Sequence, residues 1–359
     1  MTDLERFKAC MNYGAIDRPY LPRFMSHPWP ETEQRWLKEG WHPGDDEKFP
    51  FDHWIEHWKW FFPNPPFEEQ VIEEKGGIRL RINHEGILMR ERTDNPMSSM
   101  PQFVRFPVET REDFRRFWRE RMRPNMEGRL GEDWAAMLEG MRDRDAPLCI
   151  FADRWGGFFG SLRNMVGVER LCMLFYDDPA FLEEMMEAEA NFMIAVMDRI
   201  LDHVTVDAFG FWEDMAYKTG PLVGPQMFRK YALPRYRRVV EHLSSRGVEF
   251  FWLDSDGSVW DLIPIWLDAG ITIIVPFEVQ AGMDVVEVRR RFGKELRMWG
   301  GFDKRAIAQG PKAIDAEIER LRPLVYEGGY IVGADHSIPP DTSWADFQYY
   351  AEHLLGMVK

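Results

Sequence analysis

A chain of 359 residues, 45% of them hydrophobic, can bury a substantial core and is long enough for one large domain or two ordinary ones. Its formal net charge of −15 argues against nucleic acid or an anionic membrane surface as a partner, and no apolar stretch is long enough to cross a bilayer. Cys10, Cys149 and Cys172 have no metal-like spacing and exclude a disulfide framework; the opening MTDLERFKACMNYG has no signal-peptide core, so a cytoplasmic location is expected.

The predicted elements start with a helix over residues 4–12, a break at Ile16-Asp17-Arg18-Pro19 and a strand over 20–25. Pro30 opens a second helix that Gly40 closes. The stretch FDHWIEHWKWFF places His53 and His57 at the helical spacing of metal ligands, but no acid is arranged beside them, and a core or surface role is expected instead. Residues 71–92 alternate in polarity on either side of Asn83-His84-Glu85-Gly86, which predicts a hairpin outside the main sheet. A polar loop over 96–101 leads into a charged helical region over 111–142, whose mixed charges fit a solvated face.

From Pro147 the pattern turns regular. Strands at 148–153, 206–212, 248–254, 271–275, 296–300 and 330–334 alternate with helices at 163–175, 179–203, 225–245, 259–269, 285–292, 304–323 and 344–356. With 20–25 as the first strand and a weakly marked one near 49–52 as the second, the pattern predicts an α/β fold, a (β/α)8 TIM barrel. One domain over 1–359 is expected, with N-terminal helical and β-hairpin additions over about 1–145 and regular βα repeats over about 146–359.

Catalytic groups in such a barrel sit at the C-terminal ends of its strands. Those ends carry Arg23 and His27, Asp153 and Arg154, Trp212 with Glu213 and Asp214, Asp254 and Asp256, Phe277 with Glu278, Asp303, and Asp335 with His336. Carboxylates crowded around one mouth raise each other's pKa, and two uses justify that cost: holding a metal ion, or transferring protons as neutral acids. Helix capping is the competing use, at least as good for Asp256 and Asp303, each of which precedes a helix. His336 follows the last strand, next to an acid and before the rigid Pro339-Pro340, and its near-neutral pKa suits acid–base work or metal ligation. The candidate catalytic set is therefore Glu213, Asp254, Asp335 and His336. Arg23, His27, Arg154, Trp212, Phe277, Glu278 and Asp303 are the candidate substrate contacts. The glycines of Trp155-Gly156-Gly157 and Trp299-Gly300-Gly301 have neither P-loop nor dinucleotide spacing, so no nucleotide is expected; close approach to a bulky ligand is the expected use.

Several motifs, taken in order, resemble the uroporphyrinogen decarboxylase family, which also contains the cobalamin- and corrinoid-dependent methyltransferases. They are Ile16-Asp17-Arg18-Pro19, Gly220-Pro221-Leu222-Val223-Gly224-Pro225, Pro276-Phe277-Glu278 with Ala281-Gly282-Met283-Asp284, Gly300-Gly301-Phe302-Asp303, and Gly328-Gly329-Tyr330-Ile331 leading to His336 and Pro339. The resemblance implies a barrel with a deep cleft at its C-terminal face, and a homodimer. It also departs from both described activities. The decarboxylases carry an Arg-Gln-Ala-Gly-Arg-Tyr type of segment that holds substrate carboxylates; here Pro22-Arg23-Phe24-Met25-Ser26-His27 keeps at most Arg23. The methyltransferases bind zinc through a His-x-Cys pair and a later Cys; here the corresponding positions are Asp254-Ser255-Asp256 and the vicinity of Asp335-His336. Oxygen ligands replace thiolates, which admits zinc or manganese.

The resemblance thus implies metal-assisted methyl transfer between a small methylated substrate and a corrinoid or thiol acceptor. Asp254, Asp256 and His336 would hold the divalent metal, and the corrinoid would be carried by a partner protein. One alternative is a metal-independent decarboxylase of a porphyrinogen or other carboxylate, using Arg23 or Arg154 as the grip. Another is a non-catalytic barrel that binds a tetrapyrrole or other ligand.

Overall fold

The computed structural model describes residues 1–23, 27–57, 60–94 and 100–357. In chain order its strands are β1 (Ile55–His57), β2 (Gln70–Lys75), β3 (Ile78–Ile82), β4 (Leu88–Arg92), β5 (Gln102–Arg105), β6 (Leu148–Phe151), β7 (Ala208–Trp212), β8 (Ala216–Tyr217), β9 (Gly220–Pro221), β10 (Phe250–Asp254), β11 (Ile273–Val275), β12 (Arg297–Phe302) and β13 (Tyr330–Ala334). Seven of them make one parallel sheet in the order β1-β6-β7-β10-β11-β12-β13. Runs such as AFGFW and YIVGA are buried along their whole length, as expected for parallel strands covered on both faces.

The sheet is curled. Trp54, just before β1, meets Trp299 of β12 at 5.6 Å between ring centroids although four strands lie between them in the sheet. Successive residues of each strand divide between two cores. Phe250, Trp252, Ile273, Val275, Trp299 and Ile331 belong to the inner one, while Phe251, Leu253, Ile274, Met298 and Val332 pack outward on the helices. The N-terminal helix Asp3–Met11, started by the Thr2–Glu5 capping box, fills one end of the inner core. Its Phe7 sits edge-on to Tyr20, Phe250 and Trp299, a burial contributing about 1.5–3 kcal/mol. With that end filled, ligands are left the strands' C-terminal ends.

The regular region matches expectation to within a few residues, and the helices Val285–Phe292 and Trp344–Gly356 match residue for residue. The N-terminal part departs from it. Pro22 makes one parallel bridge to Asp52, and residues 24–26 lie outside those described. The expected strand near 49–52 falls later, at β1, so His53 and His57 lie along an extended segment where helical spacing has no meaning. The expected hairpin is part of a four-stranded antiparallel sheet, β2-β3-β4-β5, because Gly76-Gly77 makes a second turn; both glycines have positive φ. The predicted loop over 96–101 lies mostly outside the described residues. Four predicted helices are subdivided: 111–142 into Arg111–Arg121, Met126–Leu130 and Trp134–Glu139, 163–175 at Gly167, 225–245 at Ala232, and 304–323 at Gly310. Gly131, Gly167 and Gly310 adopt the positive φ that ends a helix.

Candidate active site

A cavity of about 960 Å³ opens at the C-terminal end of the sheet. Trp54, Glu56, Phe151, Asp153, Trp252 and Asp254 line it from β1, β6, β10 and the residues beside them, with His27, His336 and Ser337 along another wall. Alternation along β10 aims Phe250, Trp252 and Asp254 to the inner side, and Asp254, the last, reaches the mouth.

Asp214, just past β7, holds a left-handed φ of 43°. Arg163 Nη1 donates to its carbonyl oxygen at 2.5 Å, and Arg163 Nη2 lies 3.8 Å from its carboxylate. The backbone N–H of Asp256 donates to Asp214 Oδ1 at 3.3 Å, tying the turn after β10 to the turn after β7. As a result, carboxylate oxygens of Asp214, Asp254 and Asp256 all lie within 4.8 Å of one another. Burial, then the neighbouring charges, raises Asp214 and holds Asp254 well above the usual carboxylate range. His336 stands beside this trio, its Nε2 3.6 Å from Asp256 Oδ2, while the Ser337 N–H donates to Nδ1 at 2.8 Å. Burial opposes charging the ring, but the hydrogen bond and charge of Asp256 outweigh it and raise the imidazole pKa.

The expected metal set is thus only partly brought together. Asp254 and Asp256 are joined by Asp214, and His336 is an adjacent neighbour of the cluster. His27 Nε2 lies 2.6 Å from Ser337 Oγ, and burial lowers its pKa. Arg23 lines the cavity, but Asp46 takes up its guanidinium in an ion pair.

Other expected residues have structural partners. Glu213 is fully buried, on the outer side of β7. It accepts from the backbone N–H groups of Phe158, Phe159 and Gly160, which open the helix Gly160–Val166, and from the Tyr236 hydroxyl. Burial, partly offset by these hydrogen bonds, pushes its carboxyl up to about 7. Trp212 packs beneath Arg154 and Arg163. Arg154 is paired with Glu85 at the tip of the β3–β4 turn. Phe277 is buried in the outer core. Glu278 accepts from Gly257 N–H at 2.9 Å. Asp335, fully buried, accepts from the N–H groups of Val279 and Lys304, bracing the turns after β11 and β12. Asp303 caps the helix Lys304–Ala308. The glycines also find partners within the chain, correcting the expected ligand approach. A Cβ on Gly157 would lie 2.1 Å from the Trp212 carbonyl oxygen, and one on Gly300 2.4 Å from that of Pro276.

Of the lining acids that motif reasoning missed, Glu33, Asp46, Glu47 and Glu56, the last stands on the sheet itself. It is in register with Cys149, whose side chain belongs to the inner core, so it too faces inward. Burial and then the Asp153 charge push it up to about 7. Alternation with Trp54 was the available signal.

The model of the uroporphyrinogen decarboxylase family (URO-D) matches residues 99–354. A uroporphyrinogen decarboxylase from Nocardia farcinica is 26% identical over 180 residues, 48% of each chain, so the match spans about half that relative's length. A methyltransferase from Methanosarcina mazei superposes with a TM-score of 0.64 over the full length of both chains at 14% identity, a likeness of fold.

Proposed function

This chain belongs to the uroporphyrinogen decarboxylase family, and on that premise we propose that it is a metal-assisted methyltransferase built on a closed eight-stranded (β/α)8 barrel, with residues 20–22 as the first strand. The observation that carries the activity is the convergence of Asp214, Asp254 and Asp256 from two different strand ends. The repulsion among three carboxylates this close is relieved by a divalent cation, and an all-oxygen donor set suits manganese or zinc. The ion would supply Lewis acidity that makes a thiol acceptor a thiolate near neutral pH.

The protein's own residues supply the rest. The aromatic wall of Trp54, Phe151 and Trp252 excludes water from the methyl group being transferred. His336, oriented by Ser337 and Asp256, takes the proton that the acceptor gives up. Asp335 and Glu213 are positioning residues that hold the turns around the mouth. The acceptor is a small thiol, or a corrinoid carried by a partner protein. Turnover of a methyl donor should depend on added divalent ion and fall at least about a hundredfold in Asp254→Ala; metal-independent turnover retained in that variant would refute the assignment.

A second reading draws on the same elevated pKa values. An Asp254 kept neutral by burial can protonate the carbanion left when a carboxylate substrate loses CO2. CO2 release that survives exhaustive chelation would favour it.

A further inference from the structure

We propose that the cavity selects a substrate whose methyl groups are carried on a cationic nitrogen, a methylammonium head. This inference rests on the methyl-transfer reading above and adds its substrate class.

The walls carry the argument. Phe151 and Trp252 pack at 4.4 Å between centroids and line the cavity with Trp54, while the fully buried Trp299 behind them meets Trp252 at 5.4 Å and Trp54 at 5.6 Å and ties the wall into one aromatic cluster. Such faces attract a weakly hydrated cation through their negative quadrupole. Carboxylates stand around that surface: six acids line the cavity, against one guanidinium and two imidazoles. The guanidinium, Arg23, is neutralised by Asp46, itself one of the six acids, which leaves five. The nearby cations outside the lining also have partners, Arg163 with Asp214, Arg154 with Glu85 and Lys304 with Glu278. A divalent ion on Asp214, Asp254 and Asp256 would leave Glu56 and Asp153 beside the aromatic wall, where a bound cation favours the ionised form of Glu56. A polycarboxylate ligand would meet no free clamp here and would be repelled.

The charge also suits the chemistry. When the C–N bond of a quaternary ammonium breaks, its electron pair stays on nitrogen and a neutral amine departs without needing a proton. The acceptor thiolate supplies the electron pair of the new bond to carbon.

Choline and its uncharged carbon analogue 3,3-dimethylbutan-1-ol have nearly the same shape, so calorimetric titration of the as-purified protein with each isolates the charge. Choline should bind at least about tenfold more tightly. Glu56→Gln should weaken choline about fivefold or more and leave the alcohol unchanged. Equal affinities for the two, or tighter binding of the anionic analogue 3,3-dimethylbutanoate, would overturn the inference. The readout is binding, so it is separable from methyl transfer: choline bound but never demethylated would strike the activity and leave the cation site standing, whereas turnover of an uncharged donor in a cavity that rejects choline would do the opposite.

Discussion

His336 Nε2 lies 3.6 Å from Asp256 Oδ2, although β10 and β13, which lead into them, are separated by two strands in the sheet. Curling of the sheet brings the two turns together and makes one electrostatic unit of an acid cluster and a base. The pair is testable by itself. In metal-free protein His336 should titrate above the ~6.5 of free imidazole, and Asp256→Asn should lower it. Because the folded-state pKa is the higher one, the pair's contribution to stability is fully present below about pH 6.5 and is lost as pH rises through the folded value. Ring-proton NMR titration of both proteins measures this, and an unchanged His336 pKa in the variant would contradict the pairing.

Glu213 separates structure from chemistry at a strand end. Its two oxygens meet four donors, three backbone N–H groups and the Tyr236 hydroxyl. Glu213→Gln turns an NH2 group toward donors and should cost about 1–3 kcal/mol of stability, seen as a lower midpoint in urea. Unaltered stability with turnover abolished would instead place Glu213 in the chemistry.

Strand parity explains both the outward placement of Glu213 and the parts that were legible. Ends rich in acids pointed to the right face of the sheet, and Phe250, Trp252 and Asp254 carried the alternation that aims Asp254 inward. The same alternation sends Glu213 outward with Phe209 and Phe211, but a list of strand-end acids ignores it. Glu56 carries no motif signal, because the His53 and His57 spacing around it suggests a helix in a segment that is extended. Asp214 was visible as a strand-end acid, yet its place in the trio depends on the Asp256 N–H and on Arg163, long-range partners that local sequence does not encode.

Glu189 offers a stability test away from the mouth. It is fully buried on the helix Pro179–Leu201, neither carboxyl oxygen has a partner among the described residues, and burial holds its pKa well above normal. The folded chain therefore keeps a proton that the unfolded chain releases above about pH 4.3, so the ionisation part of this residue's penalty is absent at lower pH and grows as pH rises toward the folded value. Glu189→Met should stabilise the protein by about 1–3 kcal/mol at pH 7, with little gain at pH 4. Urea midpoints of both proteins at the two pH values give the answer; a gain independent of pH would mean that packing, not the carboxyl, is responsible.

Divalent-ion binding by Asp214, Asp254 and Asp256 is the claim on which the chemistry depends, and calorimetric titration of metal-free protein with zinc and manganese tests it most directly. About one ion per chain should bind, with protons released as the raised carboxyls ionise, and Asp254→Asn should weaken it by at least about tenfold. Uptake that survives Asp254→Asn unchanged, or no uptake of either ion by the wild-type chain, would contradict it.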